Sequence, residues 1–354
     1  MFYYYDADGV IYPTQLDAIA SSKKCYFYFY DDEFSKVDWM SEPEESLESL
    51  CKDRAQYIRD TNEYLILCYS GGSDSTNALE SFYYNGIHID EIVMVGAFSQ
   101  DSHKGSDDNH NGDIYLNSIP TLSKFNLPNT KITMVDYTKW FNDPNNFSLV
   151  KKYGNEWSKH IGAYKSVHNL FWYDLKKFVG NSKQTAYIMG SDKTSIADFA
   201  TGYDHQIGVY FPDLPFCDYG NNYEDDNFKR VNFHTDPHYT STRLMRKQAH
   251  IMYQIYMMYR HKYGVYNRFW HDKEQIYKRV IYNLKNPLAF ESKKSVLSSI
   301  SARDAFMFDN KNSDMYSMFS EGLNTVRRYG AVGKKFFFNS RPYFLEQPNG
   351  VYNG

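Results

Sequence analysis

The chain has 354 residues, 42% of them hydrophobic, enough to bury the core of one large α/β unit with additions. A net charge of −4 provides no global basic field, which excludes a protein that grips nucleic acid over its whole surface and leaves only a local basic patch open. The four cysteines, Cys25, Cys51, Cys68 and Cys217, form no C-x-x-C pair, which excludes a zinc ribbon or redox dithiol and suits a reducing compartment.

The N-terminus, MFYYYDADG, lacks the basic start and apolar run of a signal peptide, and no stretch approaches the length of a membrane span. A soluble, cytoplasmic protein with no membrane partner is expected. The lean towards Tyr, Phe, Asn and Asp is of the kind that A+T-rich genomes such as those of phages produce, so the host cytoplasm is the expected location in that case.

Residues 1–35 read as β structure, with FYYY and VIYP flanking the turn residues Asp6-Ala7-Asp8-Gly9 and KCYFYFYDD as a further strand. Residues 43–62 read as a helix, because Leu47, Leu50, Cys51 and Ala55 recur at three-to-four spacing. YLILCY (64–69), EIVMVGAF (91–98), KITMVDYT (131–138) and TAYIMGSD (185–192) read as four strands, the first two being continuous apolar runs of the kind buried on both faces. TNALESFYYNG and 156–179 are helical in pattern, and 99–118 reads as a long polar loop. Strand alternating with helix predicts an α/β fold, a parallel twisted sheet with helices on both faces. Residues 241–264 and 268–284 read as strong helices, 301–330 as helix-like, and KKFFFNS as a closing strand before a Pro/Gly-containing tail. The expected organisation is a β-rich and helical extension over 1–60, the α/β domain over 61–238, and a mainly helical part over 239–354.

The chemistry is carried by Ser70-Gly71-Gly72-Ser73-Asp74-Ser75, set between a buried strand and a helix. Its glycines let backbone amides approach an anion without a Cβ in the way. The unpaired amides at the start of the next helix carry the positive end of its dipole, and the three serines add hydroxyl donors. Together they suit a diphosphate, most naturally the β- and γ-phosphates of ATP. Asp74 is anionic and suits Mg²⁺ bridging the phosphates, or a structural contact within the loop.

Strand–SGGxDS–helix, here YLILCYSGGSDSTNALE, resembles the signature of the PP-loop (N-type) ATP pyrophosphatases, a family that includes asparagine, GMP, NAD and argininosuccinate synthetases. The resemblance covers residues 62–98, with weaker support to about residue 212. It implies an adenine nucleotide α-hydrolase-like fold, and adenylation of a substrate with release of pyrophosphate. The Walker pattern GxxxxGK[ST] is absent. By the same resemblance, Gly190, Ser191, Asp192 and Lys193 form a later loop completing the ATP site. Lys193 would neutralise the α-phosphate during transfer and Asp192 would hold Mg²⁺. Ala97, Phe98 and Ser99 fall where family members hold the adenine.

Phe2 after Met1 rules out a glutaminase of the N-terminal-cysteine kind, and the tail lacks the cysteine of sulfate-reduction enzymes. What remains is an adenylating ligase or amidotransferase, loosely asparagine-synthetase-like in architecture, whose acceptor, a small molecule or a nucleic acid, the sequence does not reveal. Two rivals stand beside it: an ATP-dependent base modifier of nucleic acid, which would use a basic channel formed by 243–250 and 273–285, and a nucleotide-binding interaction protein without turnover. The acidic and histidine residues Asp101, His103, Asp107, Asp108, His110 and Asp113 read as a solvated loop ahead of a metal site. His234, Asp236 and His238 have ligand-like spacing, but Pro237 interrupts any helix and the structural reading is preferred. Arg243, Arg246, Lys247 and His250 share one side of a helix, equally suited to solvent or to an acidic partner.

Overall fold

The apolar runs do become the centre of a parallel sheet. The computed structural model describes residues 3–21, 25–96, 98, 111–112, 114–136, 139–140, 143, 145–154, 156–157, 171–179, 183–190, 194–201, 204–211, 227–263, 269, 272–273, 275–283, 285, 317, 320–322, 324 and 342–346. Within them, β4 (Tyr64–Cys68), β5 (Glu91–Gly96), β6 (Lys131–Asp136), β7 (Thr185–Met189) and β10 (Phe228–Asn232) form one sheet in the order β10-β7-β4-β5-β6, every neighbouring pair parallel.

Side chains alternate across this sheet, which is why the runs had to be apolar throughout. Leu65, Leu67, Ile92, Met94, Ala186 and Ile188 join a core with helices α3 (Leu47–Asp60) and α4 (Ser73–Tyr83). Ile66, Val93, Val95 and Tyr187 face the other core, with Trp140, Phe171, Leu175 and part of the long helix Tyr239–Tyr263. The expected α/β sheet covered on both faces is therefore present. Helix α3 starts where Ser46 accepts a hydrogen bond from the Ser49 amide, and it buries Leu50, Cys51, Arg54, Ala55 and Ile58.

The N-terminal part is a small antiparallel sheet in the order β2-β1-β3, made of β1 (Tyr3–Ala7), β2 (Val10–Tyr12) and β3 (Cys25–Phe29). Its hairpin closes over Asp8 and Gly9, whose φ values of 52° and 84° are the left-handed pair that a two-residue turn requires. Between its strands lies α1 (Gln15–Ser21), which the β reading of 1–35 did not contain. Tyr5, Ala7, Ala18, Phe34 and Trp39 belong to the same core as Ile66 and Val93. The rings of Trp39 and Tyr343 stack 5.1 Å apart, joining the two ends of the chain.

Four further expectations are corrected. Part of the polar stretch read as a loop is helical: Ile114–Ser118 is a π-helix that runs into α5 (Ile119–Leu122). Of the helix expected over 156–179, the segment Trp172–Lys177 is a 3₁₀ helix, and 158–170 lie outside the described residues. The chain beyond β7 adds a second antiparallel sheet, β11-β9-β8, from β8 (Ser195–Thr201), β9 (Asp204–Tyr210) and β11 (Tyr343–Phe344). That last strand lies in what read as tail, whereas KKFFFNS lies outside the described residues. The helix expected over 268–284 contains a π-helical segment, Tyr277–Ile281. Among the described residues no helix is long and apolar enough to cross a membrane.

Candidate functional site

The strand order has one reversal. The chain runs β4, β5, β6 to one edge and returns to the other side of β4 for β7 and β10. In open parallel sheets the crevice at such a switch point, outside the carboxyl ends of the strands, is where ligands bind. The SGGSDS loop leaves the carboxyl end of β4, and Gly190 leaves that of β7, its neighbour.

Two glycines set the geometry here. Gly71 has φ +68°, and a Cβ on it would lie 2.6 Å from the Ser118 backbone at the end of the π-helix. A Cβ on Gly190 would lie 2.6 Å from the Ser75 Cα, in the first turn of α4. Each glycine thus lets SGGSDS sit backbone to backbone against a neighbour, Ser118 on one side and Gly190 on the other. Gly72 N-caps α4 in an extended conformation, φ −79° and ψ 168°, and supplies no side-chain acceptor. That leaves the start of the helix dipole facing the crevice.

The serines divide their work. Ser75 is buried and its hydroxyl holds the loop together: it donates to the Gly72 carbonyl at 3.2 Å, accepts from the Ser70 amide at 3.3 Å and pairs with the Ser70 hydroxyl at 3.2 Å. Ser70 is exposed, while Gly72 and Ser73 are half-buried at the mouth. Asp74 accepts from the Tyr282 hydroxyl at 2.7 Å through Oδ1. Burial, and then the Asp74 charge, raise the Tyr282 pKa well above the ordinary value, so this phenol stays protonated and donates. His234, fully buried just past β10, places Nε2 3.4 Å from the Asp74 carbonyl oxygen and stacks on the Tyr282 ring at 5.1 Å. The first turn of α4 is therefore held from three sides, by Gly190, His234 and Tyr282.

At the adjacent strand end, Gly96 is closely covered by Asn111, Ile114 and Phe98. Phe98 is half-buried and meets Tyr115 edge to face at 6.5 Å. Ala97, Ser99, Ser191, Asp192 and Lys193 lie outside the described residues, as do Asp101, His103, Asp107, Asp108, His110 and Asp113. Among the described residues no three His, Cys, Asp or Glu side chains group as a metal site.

Lys273, read in the sequence only as part of the basic stretch 273–285, meets the start of β8. Lys273 donates to the Ser195 hydroxyl at 2.7 Å and reaches the Tyr210 hydroxyl at 3.4 Å. Ser195 opens β8 shortly after Gly190 and is fully buried. No periodicity ties Lys273 to Ser195; only the fold does.

The other clusters turn out to serve the structure. Arg54, fully buried, donates to the Asn232 and Phe233 carbonyls at 2.8 and 3.0 Å and pairs with Asp236 at 3.4 Å. His238 stacks on Tyr57 with ring centroids 3.5 Å apart. The basic side of the helix Tyr239–Tyr263 holds the chain's own segment 38–45: Arg243 pairs with Glu45, Arg246 donates to the Asp38 carbonyl at 3.1 Å, Lys247 meets Glu42 at 2.7 Å, and His250 lies 2.9 Å from the Trp39 carbonyl oxygen. No protein-family model matches the chain, and no curated protein matches it in sequence.

Proposed function

We propose that the protein binds ATP in the crevice outside the carboxyl ends of β4 and β7, beside SGGSDS and Gly190, and cleaves it between the α- and β-phosphates to adenylate a substrate, in the manner of PP-loop ATP pyrophosphatases with an adenine nucleotide α-hydrolase-like fold. One observation carries the reading: at the switch point of a parallel sheet, Gly190 after β7 is cleared to pack against the first turn of α4, whose N-terminus has no side-chain cap.

In this reading the amides at Gly72 and Ser73, with the Ser70 hydroxyl, receive the departing diphosphate. An oxygen of the substrate attacks the α-phosphorus, an O–P bond forms, the bond to the β-phosphate breaks, and pyrophosphate leaves. A nitrogen nucleophile then displaces AMP. Asp74 fits Mg²⁺ as the protein's carboxylate ligand, since that ion is commonly held by one or two carboxylates plus substrate phosphates. The bound ion would neutralise phosphate charge. The Tyr282 hydroxyl fixes the orientation of the Asp74 carboxylate. Lys273, and Lys193 on the loop itself, are the cations suited to meet charge at the α-phosphate.

The base-modifier alternative drew on a basic channel formed by 243–250 and the Lys and Arg residues of 273–285, and the 243–250 face is instead occupied by segment 38–45. The test is direct: incubate the protein with ATP, Mg²⁺ and cell extract, then resolve the nucleotides. AMP and pyrophosphate are expected, and ADP with phosphate as the dominant products would overturn the proposal.

A further inference from the structure

Strand β6 is the outermost strand of the parallel sheet beyond β5, and among the described residues no strand pairs with its far side. Alternate residues of such an edge aim their N–H and C=O groups outward, which makes it a template for another extended chain. Ile132 and Met134 sit opposite Ile92 and Met94, so they continue the apolar rows that α3 and α4 cover. At β6 that cover ends. Ile132 is 45% and Met134 43% exposed, whereas Val135, on the other face, is buried. The single lysine, Lys131, stands at the first position and pairs with Glu91 at 3.0 Å. The opposite edge of the sheet differs: β10 carries exposed Lys229 and half-buried Arg230, charges of the kind that keep edges apart.

A second copy of the same strand is complementary to this edge. The charges of β6 stand at its two ends, Lys131 first and Asp136 last. A copy laid parallel would bring like charges side by side, whereas an antiparallel copy brings each Lys131 end beside an Asp136 end. The two-fold axis of an antiparallel edge pair runs perpendicular to the sheet, so facing residues must lie on the same face of both copies. That restricts the register. Centred on Thr133, it sets Ile132 of each copy against Met134 of the other, with Cβ atoms about 4.5–5.5 Å apart, and covers all the exposed apolar side chains of both edges. Centred one residue to either side, it sets Ile132 against Asp136, or Met134 against Thr130.

We propose that the chain forms a two-fold symmetric dimer through antiparallel pairing of β6 with β6 of a second copy, centred on Thr133, which joins the five strands of each copy into one continuous sheet. This contact closes on itself, whereas pairing of β6 with β10 would be head-to-tail and would run on into a filament. The carboxyl ends of β4 and β7 then point in opposite directions in the two copies. Each crevice stays outside the contact, so the dimer stands independently of how ATP is used.

Analytical ultracentrifugation of the full chain over a dilution series tests it. A monomer–dimer equilibrium is expected for the parent. Ile132→Lys and Met134→Glu, both at exposed positions, should each weaken the dimer tenfold or more, with circular dichroism confirming the fold. The two substitutions in one chain set opposite charges face to face across the axis, and should restore dimerisation to within severalfold of the parent. Met258→Lys, at an exposed apolar position on the helix Tyr239–Tyr263, should leave the equilibrium unchanged. A parent chain that is monomeric at every concentration overturns the proposal, as does growth beyond the dimer. A dimer that neither single substitution weakens, that Met258→Lys weakens equally, or that the double substitution fails to restore overturns it as well.

Discussion

The Cα of Ser75 lies where a side chain on Gly190 would begin, 2.6 Å from the position of its Cβ. The φ of Gly190 is not in the left-handed region, so space alone demands glycine there. Gly190→Ala should push the loop after β7 away from α4, destabilise the chain by about 1–3 kcal/mol as overpacking does, and weaken ATP binding at least tenfold. Gly86→Ala is the control. Its φ of +68° strains alanine, but the space around it is open. It should cost about 1–2 kcal/mol and leave nucleotide affinity unchanged. Thermal melts and ATP titration read both, and equal ATP affinity in parent and Gly190→Ala would remove the loop from the site.

Lys273→Met should lower turnover more than ATP affinity. A cation that meets charge developing in the transition state contributes to kcat more than to ground-state binding. The loss should reach about a hundredfold, by analogy with removal of an oxyanion-hole donor. Lys193→Ala made in parallel tells which lysine, or whether both, faces the α-phosphate. A Lys273 variant with parental kcat assigns that side chain to holding Ser195 alone.

Arg54→Leu should cost about 3–5 kcal/mol, the range for breaking a buried ion pair by removing one partner. Besides Asp236, it would strip the Asn232 and Phe233 carbonyls of their donor. A urea midpoint within error of the parent would show that α3 and the end of β10 hold together by apolar contact alone.

Stability should also fall on mild acidification through His238. Burial, and then the positive charge of Arg54, hold its pKa below the ordinary value of 6.5. The Thr240 amide donates to Nδ1 at 3.3 Å, a bond that only the unprotonated nitrogen accepts. The folded chain therefore favours neutral histidine. That contribution is complete above about pH 6.5 and is lost as pH drops through the lower folded value. Urea midpoints from pH 7.5 to 5 should decline less steeply in His238→Gln than in the parent, and parallel declines would assign the acid sensitivity elsewhere.

The central sheet was legible because β4 and β5 are buried on both faces and so had to be written in apolar letters. SGGSDS stood out because its paired glycines fall between an apolar run and a helix, and Gly71 does bring the backbone close against Ser118. Strand β10 escaped notice because it is an edge strand carrying exposed Lys229 and half-buried Arg230, with no clean alternation. Lys273 read only as one cation of the basic stretch 273–285, because nothing in the sequence ties it to Ser195 at the start of β8. The stripe Arg243, Arg246, Lys247 read as available charge because its partners, Asp38, Glu42 and Glu45, stand far away in the chain. Charge complementarity over such a distance leaves no periodic mark.

That distance also sets a timetable for synthesis. Segment 38–45 is clasped by residues 243–250, so it leaves the ribosome about two hundred residues before its clasp does. At about 5–20 residues per second the interval is roughly 10 s or more. Through it Trp39 lacks its ring partner Tyr343, and β4, the middle strand, has β5 and β6 on one side and bare hydrogen-bonding groups on the other until β7 arrives. A nascent chain stalled between β6 and β7 thus presents an open strand edge flanked by aromatic side chains, the surface that holding chaperones and aggregation both recognise. The cost of completing the sheet from both directions falls on the unfinished polypeptide.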